Sequence, residues 1–175
     1  MNPLWTATRD LHHACEAHPV GAAMATGNPP VNWYAAWLQA LLQIHSVVDL
    51  SLPAELGRVN NIQQDINSLN IKIAPVLAAD LYAKTLINPQ AIAGAAYVLT
   101  GAHLMGGEIM RRRLQNFPTQ HLEWADRKIA LQGLQQLRST PDIAEQARDC
   151  FSALLSCMDE IQQRFPQDSS NYLKD

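Results

Sequence analysis

The 175-residue chain has little charge and few aromatics: 17% of its residues are charged, 6% are aromatic, and the formal net charge is −3. Its basic residues are scattered apart from Arg111-Arg112-Arg113, so no broad cationic face is on offer and nucleic acid is excluded as an expected partner. Cysteine is scarce too. Cys15, Cys150 and Cys157 are odd in number and lack Cys-x-x-Cys spacing. The last two stand two helical turns apart on one expected helix, about 10 Å between Cα atoms, which is too far for a disulfide. They read as reduced core residues of a cytoplasmic protein. The opening MNPLWTATRDLHH has no apolar stretch behind a basic one, so no secretory signal is expected. The longest apolar stretch, 91–105, carries Thr100 and His103 and falls short of the ~20 residues that span a bilayer. Strand-like alternation is missing as well.

What is present is a 47% hydrophobic content arranged with helical spacing. It predicts one all-α domain over 1–166 of seven or so helices, followed by a polar tail, 167–175, that frays. The first helix is expected over 4–25, ended by Gly27-Asn28-Pro29-Pro30. Asn32 is the expected N-cap of a second, whose Trp37, Leu41, Ile44 and Val48 recur at three- and four-residue steps to about Asp49. Residues 54–73 and 74–86 read as two more, the latter with Pro75 in its first turn. Asn88-Pro89 opens a long helix to about Leu114, a further helix is expected over 120–137, and Ser139-Thr140-Pro141-Asp142 caps the last, 143–164.

The long helix holds three interior glycines, Gly101, Gly106 and Gly107. Each costs roughly 0.5–1 kcal/mol relative to alanine, so their clustering calls for a close approach of the backbone to something else. Tight helix packing or a ligand would both satisfy that. His12 and Glu16 are four apart on the first helix and share a face. They form either a surface pair or a metal-ligating imidazole steadied by a carboxylate, with His13 and His18 close by. His45 and Asp49 have the same spacing and read as a local pair. No Glu-x-x-His occurs, which disfavours a di-metal carboxylate oxidase.

The segment Thr8-Arg9-Asp10-Leu11-His12-His13-Ala14-Cys15-Glu16 resembles the T-x-x-x-H-x-x-x-E that opens heme oxygenases. The stretch from Tyr97 through Ala102-His103-Leu104-Met105-Gly106-Gly107 is similar to that family's distal helix, G-D-L-S-G-G in many members. A weaker likeness runs from Ala147 to Ile161, where Phe151, Leu155 and Met158 are credited with packing. The resemblance implies a single-domain heme-oxygenase-like bundle with haem as both substrate and cofactor. It makes His12 the iron ligand and Glu16 its support, Tyr97 and Arg127 the holders of haem propionates, and Ala102, His103, Gly106 and Gly107 the distal wall.

His103 stands where the family carries an aspartate that organises proton delivery. As an imidazole it would shuttle protons, or it would ligate the iron and close the sixth site. The implied activity is oxidative cleavage of haem to biliverdin, carbon monoxide and ferrous iron, with ferredoxin or a flavin reductase as electron donor. The alternative is a non-catalytic haem carrier or sensor of the same fold. Arg111-Arg112-Arg113 is either a helix-end cation cluster favoured by the dipole or a docking patch for an acidic ferredoxin.

Overall fold

The computed structural model describes residues 3–167. Among them lie nine α-helices: α1 (Pro3–Ala17), α2 (Pro19–Thr26), α3 (Val31–Val48), α4 (Val59–Leu69), α5 (Leu77–Ala83), α6 (Pro89–Gly101), α7 (Gly107–Arg113), α8 (Arg127–Arg138) and α9 (Ala144–Arg164). No strand occurs among the described residues. Nearly all of the expected tail, 168–175, lies outside them.

Helix α9 is the hub, packed against α1, α5 and α6. It buries Cys150, Phe151, Leu154, Cys157, Met158 and Ile161, a repeat of three and four that keeps one stripe inward. Helix α3 is buried on most of its circumference, with Trp33, Leu38, Leu41 and Ile44 all in the core. Its first turn is tied down at both neighbouring ends: Trp33 Nε1 donates to Phe165 O at 2.8 Å and Tyr34 Oη to Pro118 O at 2.6 Å. The three cysteines are free, as expected, and Cys150 and Cys157 are buried.

The expected first helix is in fact two. The residue before a proline is pushed out of the α region, and His18 adopts ψ 139°, so the helix stops and restarts with Pro19 in its first turn. His18 serves as the cap: its Nδ1 accepts from Val20 N at 3.1 Å while Nε2 meets Asp159 Oδ1 at 3.1 Å. Helix α2 then ends on Gly27 at φ +83°, and a Cβ there would lie 2.4 Å from Arg113 O, so only glycine serves both the turn and the contact.

Other boundaries also move. Asn32 lies inside α3, whose cap position is Pro30. The helix expected over 54–73 is a short 3-10 turn (Ala54–Leu56) followed by α4, and Pro75 precedes α5 instead of entering it. The helix expected over 120–137 is a 3-10 turn, Gln120–Leu122, an extended link, and α8 capped by Asp126, whose Oδ1 accepts from Lys128 N and Ile129 N. Buried Asp65 of α4 organises that 3-10 turn by accepting from Gln120 N and His121 N, both at 2.9 Å.

Asn88 caps α6 as expected, its Oδ1 accepting from Ala91 N at 2.9 Å. The helix continues without reversal into α7, but through a widened π-helical turn, Ala102–Gly106. The glycine cluster thus marks a change in helical pitch, a feature found often where a helix borders a functional site.

Candidate functional site

A cavity of about 520 Å³ opens between α1, α2, the α6–α7 region and α9. On the α1 side His12 is held between two aromatic edges, Trp5 at 5.1 Å and Phe151 at 5.8 Å between ring centroids. Its Nδ1 is sealed from solvent, and Glu16 Oε2 lies 3.5 Å away, too long for a hydrogen bond. The side chain as a whole is 34% exposed, and His12 lines the cavity. The opposite wall comes from the π turn and its flanks: Gly101, Ala102, Met105, Gly106 and Ile109. A Cβ built on Gly106 meets nothing within 4 Å, so the fold has no packing need for glycine there. That leaves a cradle beside bare backbone, facing a cavity with an imidazole across it.

The cavity accommodates much of what the sequence marked out. His12, Glu16, Tyr97, Ala102 and Gly106 all line it. Three residues do not. Gly107 is buried against Leu122, where a Cβ would make ordinary contact at 3.4 Å. Arg127 turns away and donates to Leu104 O at 2.8 Å, satisfying a carbonyl that the widened turn leaves open.

His103 is the largest correction. It is 5% exposed and points into the protein, stacked on His45 at 5.2 Å and edge-on to His121 at 5.5 Å. It therefore neither faces the cavity nor stands where it could ligate a cavity-bound iron. Burial first, then the neighbouring imidazoles and Arg58, hold its pKa well below the usual 6.5. The flanking histidines are fixed by carboxylates: His45 Nδ1 to Asp49 Oδ1 at 2.8 Å and His121 Nδ1 to Asp65 Oδ2 at 2.6 Å. Asp49 also accepts from Arg58 N and Val59 N, and the Arg58 guanidinium sits 4.0 Å over the Trp124 ring.

Sequence reasoning missed other lining residues. Phe151 and Met158 border the cavity as well as the core, and Arg138 and Arg113 supply cations to its wall. Arg138, in the last turn of α8, lies near the Tyr97 side chain, and its charge opposes the upward push that burial gives the phenol. Its only sequence signal was a basic residue at a helix end. Each arginine of the 111–113 run has a partner in the fold: Arg111 with Glu123, Arg112 with Glu108, and Arg113 with Ala25 O.

The all-α bundle thus sets a π-helical turn and the His12 imidazole on the walls of one cavity. No family model matches the chain, and no curated protein matches it in sequence. Solved structures do. Heme oxygenase-1 from the cyanobacterium Synechocystis, in complex with heme, superposes with a TM-score of 0.78 at 18% identity, covering 92% of this chain and 91% of that one. Heme oxygenase from Leptospira interrogans gives 0.75 at 19% identity over 91% and 97%. Heme oxygenase-2 from Synechocystis, in complex with heme and NO, gives 0.74 at 19% over 92% and 84%. The chain has the heme oxygenase fold. No helix among the described residues is long and apolar enough to cross a membrane.

Proposed function

We propose that the cavity binds haem and that the protein is a heme oxygenase, opening haem oxidatively to biliverdin, carbon monoxide and ferrous iron. The observation that carries this is the pairing of His12 with Gly106 across the cavity, a nitrogen ligand facing backbone that no side chain covers. The residues suit the group. The apolar lining of Trp5, Met24, Phe151 and Met158 matches a porphyrin face, and Arg138, Arg113 and Tyr97 suit its carboxylates.

When bound, haem supplies the iron that activates dioxygen and is itself the molecule cleaved. The chain's own part begins at His12. A neutral imidazole presents one lone pair, so ligation through Nε2 requires the proton on Nδ1, the nitrogen that lies 3.5 Å from the Glu16 carboxylate. Trp5 and Phe151 fix the ring plane, and Gly106 keeps the far wall free of side chain. Electrons would come from an external donor, a ferredoxin or a flavin reductase.

A second reading, a non-catalytic haem carrier or sensor, is favoured by one specific observation. The position expected to manage protons, His103, is turned away, and the π-turn residues that do line the cavity carry no titratable side chain. Reconstitution with haem separates these readings. The wild type should show an axial-histidine spectrum that His12→Ala alters. Ascorbate, or ferredoxin with its reductase, should then replace the haem absorption with that of biliverdin. An unchanged spectrum in His12→Ala overturns the site, and a haem band that persists under reduction selects the carrier.

A further inference from the structure

His12 has a second set of neighbours that haem ligation does not use. One ligand atom each from His12, His13 and Glu16 lie within 4.8 Å of one another, at the edge of the cavity. His12 and Glu16 are brought together by their four-residue spacing. His13, one residue on, is drawn alongside by Trp5, whose ring lies edge-on to both imidazoles at 5.1 and 6.3 Å. His12 Nδ1 and Glu16 Oε2, 3.5 Å apart, have the spacing of two donors on one tetrahedral ion, about 3.4 Å for bonds near 2.1 Å. His12 Nδ1 is also a buried nitrogen without a hydrogen-bond partner. Two imidazoles and a carboxylate are a donor set for divalent transition metals, leaving further positions to water.

We propose that His12 Nδ1, His13 and Glu16 form a divalent transition-metal site whose occupation excludes haem. The exclusion follows from proton counting on one ring. A neutral imidazole has one lone pair and one N–H. A metal on Nδ1 places the proton on Nε2, which then has no lone pair for iron; ligation of iron through Nε2 places it on Nδ1, which then cannot hold the metal. The two occupants therefore compete for His12 without overlapping in space. His13 and Glu16 are exposed, so closing the set costs only surface side-chain movement. The antagonism rests on the haem reading above, whereas the metal site does not.

The test begins with haem-free protein and Zn²⁺ in calorimetry. The wild type should bind one zinc per chain, and His13→Ala, an exposed position outside the proposed haem contacts, should bind it about tenfold or more weakly. Haem titrations followed by absorbance come next. For the wild type in free zinc at ten times its Kd, the apparent haem Kd should rise about tenfold, while at the same zinc concentration that of His13→Ala should change far less. Equal zinc affinity in the two proteins overturns the site. A wild-type haem titration indifferent to saturating zinc overturns the exclusion. If the wild type takes up no haem at all, the haem reading falls, and the zinc isotherms alone still decide the metal site.

Discussion

The His103 ring lies on the His45 ring with centroids 5.2 Å apart and planes 14° from parallel, and neither His103 Nδ1 nor His45 Nε2 has a hydrogen-bond partner. The stack is a row of imidazoles held under the π turn by buried Asp65 at one end and part-buried Asp49 at the other. Two of its members, His103 and His121, have pKa values below 6.5 in the fold, chiefly because burial penalises their charged forms. A histidine lowered in the folded state gives stability that is present above its unfolded pKa and is lost as pH falls below it, since the unfolded chain takes the proton more readily. Unfolding free energy should therefore decline below about pH 6.5, by up to ~1.4 kcal/mol per pH unit for each imidazole that stays neutral. Urea denaturation across pH 5 to 7.5 measures this. His103→Leu should flatten the slope by about one proton, and an unchanged slope would mean that His103 is not the group involved.

Gly94 gives a packing prediction independent of any ligand. A Cβ there would sit 2.5 Å from Gln146 Cβ and 2.8 Å from its carbonyl carbon, so α6 and α9 approach backbone to backbone at this point. Gly94→Ala must push the two helices apart, at a cost of ~1–3 kcal/mol. A thermal melt should show it as a clear fall, and an unchanged midpoint would contradict the close approach.

Much of this architecture can be read in the sequence because local signals and tertiary packing agree. The stripes of α3 and α9, the Asn88-Pro89 start, the His12–Glu16 pair and the glycine cluster are all set within a few residues. The misses share a cause, which is long-range contact. The apolar stripe runs through His18-Pro19 without showing the break, and the 3-10 turn at 120–122 depends on Asp65, more than fifty residues earlier in the chain. The likeness to the family's distal helix, anchored on Gly106-Gly107, puts His103 on the cavity wall because residue-by-residue matching carries no sign of a π turn. A π turn adds a residue to the turn and rotates the side chains that follow. Arg138 reaches the cavity only once α8 has folded back beside α6.

Gly106 separates ligand from scaffold. With φ −89° and open space where its Cβ would be, it can become alanine without strain. Gly106→Ala should then leave the haem-free protein as stable or raise it by ~0.5–1 kcal/mol, because glycine is the poorer helix former. The added methyl group would project toward the cavity and should weaken haem uptake, and Gly106→Leu should weaken it further. If the apo melt drops, glycine is there for the fold; if both variants bind haem as the wild type does, the cradle is not used.

Two arginines give a paired test of which cation serves the cavity. Arg127, favoured by the sequence, is committed to Leu104 O in the π turn, whereas Arg138 lies on the cavity wall beside Tyr97. Arg127→Ala removes a charged donor from a carbonyl in a widened turn and should cost ~1 kcal/mol of stability, an exposed side chain lying at the low end of such losses. Any haem effect would follow from that loosening. Arg138→Gln should leave the melt near the wild type and weaken haem by about fivefold to tenfold, because one exposed cation facing a propionate is worth ~1 kcal/mol. Absorbance titration and a melt on each variant suffice. The reverse pattern, with Arg127→Ala losing haem at full stability and Arg138→Gln losing none, would return the propionate to Arg127 and require the π turn to rearrange when the cavity fills.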